Sequence, residues 1–478
     1  MSTQTLEQLL ADYPRDVTVS ASSVREADAA SPAQSVLIVL DDDPTGTQSV
    51  ADLPVLTAWE EADLRWALST GAPAVYVMTN SRSLSATDAE KINRDVVRAA
   101  LDAAKELDRR VTFVSRSDST LRGHFPLEPN VLAEEVEAAT HEKIDGILIV
   151  PAFGDAGRIT VGGVHYAGSA ADGFVPVGET EFAKDATFGY RNSRLVDWVE
   201  EKTDGEILAA DVIAIPLSVL RADRDETVRL LRSASSRQPI VVDIVTEDDL
   251  RLLSLALIEA ESAGSRFIYR VGPPFVRARI GQEVHAPLTE AEIEAARGGR
   301  EPSPHGLVVV GSHVGLTTRQ LNTLRDARSL IELEIDVAKV LGPERDEHLG
   351  ALVDEAVVGL STDTVVVRTS RLLVTGADAD DSLSISRQVS AAVVDVVQGI
   401  VSQTTPRFVI AKGGITSSDV ASKGLGIRRA FVVGPMLPGI VSMWSGQDGR
   451  AEGVPYIVFA GNVGDESSLA TVVDTLSL

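Results

Sequence analysis

The stretch VLIVLDDDPTGTQ at residues 36–48 is an unbroken apolar run, Val36–Leu40, that ends in three acids and a Pro-Thr-Gly turn. A short run without polar alternation predicts a strand buried on both faces. The same unit recurs downstream. Val75–Met78 leads into TNSRS, Val111–Val114 into SRSDSTLRG and Ile147–Val150 into PAFGDAGR. Ile240–Ile244 and Phe267–Tyr269 are further strand candidates. Thr87, with Glu90 three residues later, has the spacing of a capping box and predicts the start of an intervening helix. Apolar strands alternating with amphipathic helices predict an α/β fold in which a mostly parallel sheet is flanked by helices. In such sheets the loops beyond the carboxyl ends of the strands form the ligand crevice.

Toward the N-terminus, Leu6, Leu9 and Leu10 predict a short helix that stops before Pro14, and the polar, Ala/Ser-rich residues 15–34 read as a linker or loose arm. Toward the C-terminus, residues 281–306 are charged and then Gly/Pro-rich, after which the alternation restarts. Leu307–Val310 precedes GSHVGLTT, Phe408–Ile410 precedes AKGGITSSD, and Tyr456–Phe459 precedes AGNVGDES. Ile331–Ile335 and Thr364–Arg368 are strand candidates, and residues 382–403 carry an apolar helical stripe through Ile385, Val389, Val393, Val396 and Ile400. The expected organisation is an arm at 1–34, a first domain at 35–280, a linker at 281–306 and a second domain at 307–478.

Of the 478 residues, 44 are Lys or Arg and 70 are Asp or Glu, a formal charge of −26. That balance argues against nucleic acid or an anionic membrane as partner, since both reward basic surfaces. The absence of cysteine rules out disulfides, thiolate metal sites and a cysteine nucleophile. The seven histidines are scattered and form no HExxH, so a zinc hydrolase is not expected. No apolar run approaches the ~18 residues of a membrane span, and the N-terminus lacks the basic and apolar regions of a signal peptide. A cytoplasmic enzyme or binding protein is expected.

The candidate chemistry lies in the strand-end loops. Asp41, Asp42 and Asp43 repel one another unless a cation, a hydroxyl or backbone N–H groups take them up, and Thr45-Gly46 lets the backbone come close to a ligand. A solvated acidic turn is the plainer reading of the triplet. Arg82, Arg116, Arg122 and Arg158 all follow first-half strands, which suggests a locally basic pocket for a small organic acid. Surface pairing of each arginine with an acid is the simpler alternative. Asp118, between Arg116 and Arg122, could orient an arginine or bind a hydroxyl. In the second half, Gly311-Ser312, Gly413-Gly414-Ile415-Thr416 and Gly461-Asn462-Val463-Gly464 each offer backbone N–H groups to an anion, with Lys412 as a neutralising charge. None of the three fits GxxxxGK[ST], and GxGxxG does not follow the first strand. His124 and His313 lie within these motifs, as ligand contacts or as hydrogen-bonded loop residues.

Asp41-Asp42 with Thr45-Gly46, SDSTLRG at 117–123, GS at 311–312, GGIT at 413–416 and GNVG at 461–464 occur in an order that resembles the four-carbon acid sugar kinase family, from about residue 36 to residue 474. The resemblance implies an N-terminal sugar-acid-binding domain and a C-terminal nucleotide-binding domain with the active site in the cleft between them. It implies ATP-dependent phosphorylation of an acid such as threonate, erythronate or 3-oxo-tetronate, with ATP and Mg²⁺ as cofactors. Asp42, Thr45, Gly46, Arg82, Asp118 and Arg122 fall on the sugar-acid side, and Ser312, Gly413, Gly414, Thr416 and Gly461 on the ATP side. Asp41 and Arg158 join the first set, and Lys412, Ile415 and Gly464 the second, as their neighbours. Asp42 is the first choice of catalytic base and Asp118 the second, because Asp41 and Asp43 should raise Asp42's proton affinity while arginines lower that of Asp118. The sequence departs from the family where Asp43-Pro44 adds a residue before Thr45, where Ile415 stands for a frequent Glu, and where Phe459-Ala460 stands for Lys-Pro, a charge that Lys412 could supply instead. No metal ligand is assigned. The expected partners are the sugar acid and ATP, with no nucleic acid and no membrane; a homodimer is one option. A nucleotide-linked oxidoreductase of a small hydroxy acid and a non-catalytic sugar-acid sensor stand as alternatives.

Overall fold

Wholly apolar strands form parallel sheets here because both faces of each strand are covered by helices. A computed structural model describes residues 3–297, 302–370 and 379–478. The chain divides into two units. The first comprises residues 1–46 and 59–284, the second residues 47–58 and 285–478.

The main sheet of the first unit contains β1 (Val36–Asp41), β3 (Ala74–Met78), β4 (Val111–Arg116), β5 (Gly146–Val150), β9 (Ile213–Ile215), β10 (Gln238–Val242) and β11 (Phe267–Val271). They run in the order β3-β1-β4-β11-β5-β10-β9, and every pair is parallel. A separate antiparallel sheet, β6 (Arg158–Val161), β7 (Val164–Ser169) and β8 (Gly173–Pro176), follows β5. The sequence gives no clear sign of these three strands, which are short and mix polar with apolar residues.

In the second unit, β12 (Leu307–Val310), β13 (Ile331–Ile335), β14 (Val365–Thr369), β15 (Val409–Lys412) and β18 (Pro455–Phe459) are parallel, in the order β13-β14-β12-β15-β18. The sheet continues antiparallel through β17 (Val441–Gly446), β16 (Arg429–Leu437) and β2 (Leu53–Leu56). Residues 47–58 thus leave the sequence of the first unit to complete the sheet of the second. A buried cluster that includes Val308, Phe408, Ile410, Ile457, Leu469 and Val473 forms its core.

Three local expectations change. Residues 21–30, within the expected arm, form a helix capped by Ser20, with Val24 buried against Ile258 and Asp28 held by Arg279 at 2.7 Å. The helix expected to open at Thr87 spans Ala86–Glu106 and is capped by Ser85, whose hydroxyl accepts from the Asp88 amide. Within 281–306, Glu290–Ala296 is a helix with a Thr289/Glu292 capping box, and its Ile293 is buried in the second unit's core. Among the described residues no helix is long and apolar enough to cross a membrane.

Candidate functional site

The register of the first unit brings the charged loops together. Asp41, the last residue of β1, pairs with Arg116 at the end of β4. It is wholly buried, with one carboxylate oxygen against the Arg116 guanidinium and the other lacking a hydrogen-bond partner. A Cβ on Gly46 would lie 1.8 Å from that second oxygen, so the glycine admits the Asp41 carboxylate rather than the ligand expected from sequence. Asp43 Oδ1 accepts from the Thr45 amide at 2.9 Å and from its hydroxyl at 2.5 Å, which closes the turn.

Asp42 receives two hydrogen bonds from Arg82, Nε to Oδ2 at 3.1 Å and Nη2 to Oδ1 at 2.7 Å, and Arg116 stands 3.3 Å from Oδ1. Burial pushes its pKa up to about 6; Arg82 opposes the rise and Glu128 adds to it. The flanking acids named from sequence are not the cause. Asp118 sits 3.9 Å from Arg82 and 2.7 Å from Arg122 Nε. Burial would raise its pKa, but Arg82 and Arg122, with bonds from Arg122 and Thr120, hold it well below the usual carboxylate range. Two carboxylates on neighbouring loops are thereby driven to opposite proton affinities.

A second layer fixes these groups. Arg270 on β11 donates to Ser115 at 2.7 Å and pairs with Glu128, both ions being buried. Gly123, at φ +111°, lets the loop after β4 lie against Arg270 and Asp42; a Cβ there would meet Arg270 Nη2 at 2.8 Å. His165 Nε2 lies 2.8 Å from the Ser119 carbonyl, and the Tyr190 hydroxyl donates to the Thr120 carbonyl at 2.6 Å. His124 Nε2 contacts the carbonyls of Ser81 and Leu84 at 3.1 and 3.2 Å. Sequence reading missed Arg270 and Glu128. A charge inside the apolar strand FIYRV was the available signal.

Of the four arginines expected to line a basic pocket, three are paired with acids and one is not. Arg82, Arg116 and Arg122 are each ion-paired within the loops, because the Asp-rich turns that follow β1 and β4 supply partners. Arg158 makes no ion pair among the described residues, and its Nε is buried without a hydrogen-bond partner.

In the second unit, β12, β15 and β18 are adjacent, so their three loops meet. A Cβ on Gly311 would lie 2.1 Å from Thr416 Oγ1, and one on Gly461 2.4 Å from Ser312 Oγ. Gly413, at φ +128°, also borders Ser312. Thr317 donates to Ser312 Oγ at 3.0 Å or to the Gly461 carbonyl at 2.8 Å. Gln320 Nε2 donates to the carbonyls of Val463 and Asp465 at 3.0 and 2.7 Å. Gly464, at φ +84°, packs on Ser468. Around Gly414 there is open space, and Ile415 is 65% exposed. Lys412 is wholly buried. Its ammonium donates to the Ala460 carbonyl at 2.6 Å and lies 3.7 Å from the centre of the Phe459 ring, and burial lowers its pKa to about 7.

The unit with the strand-end acids and arginines and the unit with the clustered glycine loops match, in that order, a sugar-binding domain and a nucleotide-binding domain. Residues 37–279 match the sugar-binding N-terminal domain and residues 307–469 the nucleotide-binding C-terminal domain, and the chain belongs to the four-carbon acid sugar kinase family. It is 27% identical over 454 residues to the D-threonate kinase of Salmonella typhimurium, covering 91% of this chain and 96% of that protein. It is 25% identical over 299 residues to the D-erythronate kinase of Heliobacterium modesticaldum, 60% of each chain. Two crystal structures share the fold: one from Salmonella typhimurium LT2 (TM-score 0.64, 19% identity) and one from Haemophilus influenzae (TM-score 0.58, 17% identity). Each alignment covers 91% of this chain and 98% of the other.

Proposed function

We propose that the protein is an ATP-dependent kinase that phosphorylates a hydroxyl of a four-carbon sugar acid of the threonate or erythronate type. The observation that carries this reading is the strand-end cluster in which Arg82 holds Asp42 and faces Asp118 beside Arg122, within a domain that matches the family's sugar-binding domain; the opposed proton affinities of the two carboxylates fit an acid–base assignment. The acceptor is an alcohol. As its oxygen bonds to the γ-phosphorus and the bond to the ADP oxygen breaks, the hydroxyl proton passes to Asp42, the carboxylate with the higher affinity for it. Asp118, kept ionised, orients Arg122 and the substrate hydroxyls. Arg122 and Arg158 bind the carboxylate. Arg82 and Asp41 hold Asp42 and Arg116 in place, and Thr45 and Gly46 shape the turn beside them.

Ser312, Gly413, Gly414, Ile415, Thr416, Gly461 and Gly464 form the nucleotide phosphate site, with the open space at Gly414 as the point of approach. Lys412 supports this site from beneath through the Ala460 carbonyl. Among the described residues no three His, Asp or Glu side chains gather to hold a metal ion. Mg²⁺ would therefore arrive on the triphosphate, where it offsets phosphoryl charge.

The test is ADP release, with phosphorus NMR of the product, for ATP and a panel of D- and L-threonate and erythronate. A phosphorylated acid supports the reading. ATP left intact with every acid would refute it.

A further inference from the structure

Phe182 lies in the turn Glu181–Lys184 of the first unit, outside the motifs picked out in the sequence. The guanidinium carbons of Arg122 and Arg158 stand 5.3 and 5.6 Å from the centre of its ring. All three residues are half-buried. Two guanidinium groups on one ring repel each other. Burial lowers the pKa of Arg158, and Arg122 lowers it further, with Asp118 in opposition. Asp118 at 2.7 Å and Asp185 at 3.7 Å compensate Arg122. No carboxylate among the described residues pairs with Arg158, whose Nη1 donates only to the Ala156 carbonyl. The electron-rich face of Phe182 attracts both cations and fixes their planes at little cost in entropy.

We propose that Phe182 is a positioning residue for anion recognition. It presents Arg122 and Arg158 as a paired grip with one charge left for the substrate's carboxylate, and so makes the site select an acid over a neutral polyol. This inference rests on the kinase reading. It assigns Phe182 no contact with the reacting atoms, so its effect should appear in affinity for the acid and not in the chemical step.

The test compares wild type, Phe182→Leu and Phe182→Tyr with D-threonate, D-erythronate and the uncharged tetritol erythritol. Loss of two cation–ring contacts should raise KM for the acid by about tenfold. The same Leu variant should keep kcat and the KM for ATP within about twofold, with turnover of erythritol unchanged. Phe182→Tyr, which keeps the ring face, should restore the acid KM. Phe182→Met, which keeps the bulk and removes the ring face, takes the place of Phe182→Leu if that variant fails to fold and should raise the acid KM likewise. An unchanged acid KM in folded Phe182→Leu overturns the proposal, as does a rise confined to ATP or an equal rise for erythritol. If wild type phosphorylates none of the acids, calorimetric titration with D-threonate separates the two ideas. Binding weakened by Phe182→Leu would sustain the grip without the kinase, and equal or absent binding would overturn it.

Discussion

Asp42 and Asp118 share Arg82 and are both buried, yet burial prevails at Asp42, where Glu128 adds to the rise, while at Asp118 Arg82 and Arg122, with hydrogen bonds from Arg122 and Thr120, overcome it. Asp42→Asn keeps the shape and loses the base, so kcat should fall by about 10²–10⁴-fold with ATP affinity preserved. Near-normal turnover in that variant, with Asp118→Asn folded and inactive, would exchange the two roles. The pH profile gives an independent check. The base works ionised, so kcat/KM should rise through about pH 6 and fall by about tenfold per unit below it, a limb that Asp42→Asn should abolish. Lys412 poses the opposite problem. Burial depresses its pKa from 10.5 to about 7, so between those values the unfolded chain carries a proton that the folded one lacks. Folded stability from this group therefore rises with pH across that window and is lost as pH falls through about 7. Lys412→Met removes the titration. Denaturant melts should show the variant gaining on wild type most near pH 7, by roughly 1–3 kcal/mol, with the difference shrinking toward pH 10. A pH-independent difference would mean that Lys412 titrates normally.

The glycine loops separate structural from ligand-facing positions by what a side chain would meet. Gly414→Val enters open space and should leave the melting temperature nearly unchanged while weakening ATP binding at least tenfold, as read by calorimetry. Gly46→Ala drives a methyl into the Asp41 carboxylate and should cost about 1–3 kcal/mol of stability, as read in urea melts. If ATP affinity survives Gly414→Val, the nucleotide lies elsewhere. The parallel strands were legible because each is an apolar run that needs two covered faces, and the strand-end rule then located Asp42, Arg82, Asp118, Ser312 and Gly413. The antiparallel elements were not. β2 carries Pro54, and β16 carries Gly434-Pro435 at register shifts against β17, so neither stands out as a plain apolar run. The pairing of the charges was hidden for a different reason. The match of Asp41 with Arg116 is set by the register of β1 on β4, and that of Arg270 with Glu128 by tertiary packing, neither of which periodicity encodes.

At the scale of the whole chain, the acidic balance expected to disfavour nucleic acid is spent partly inside the molecule, where carboxylates answer buried arginines such as Arg221, Arg277 and Arg279. The larger lesson concerns connectivity. The family matches are two contiguous blocks, 37–279 and 307–469, yet the second unit is built from two separate stretches. Residues 47–58 supply β2, in register with β16 from Arg429↔Leu56 to Val432↔Leu53. Thr47 accepts from the Trp444 indole at 2.9 Å and bonds to the Ser442 hydroxyl at 2.9 Å, all three buried. A fragment of residues 285–478 keeps the glycine loops but strips β16 of a neighbour and leaves the Trp444 donor without its partner. Each orphaned buried polar group costs about 1–3 kcal/mol, and an uncovered strand edge invites association. The fragment alone should therefore melt with low cooperativity or aggregate. The same fragment with residues 47–58 joined through a flexible Gly/Ser linker should recover a cooperative melt and ATP binding. Equal stability of the two fragments would show that β2 is dispensable to the nucleotide-binding unit. Recovery would set the working boundary of that unit by the strand it borrows and not by the point at which the second sequence match begins.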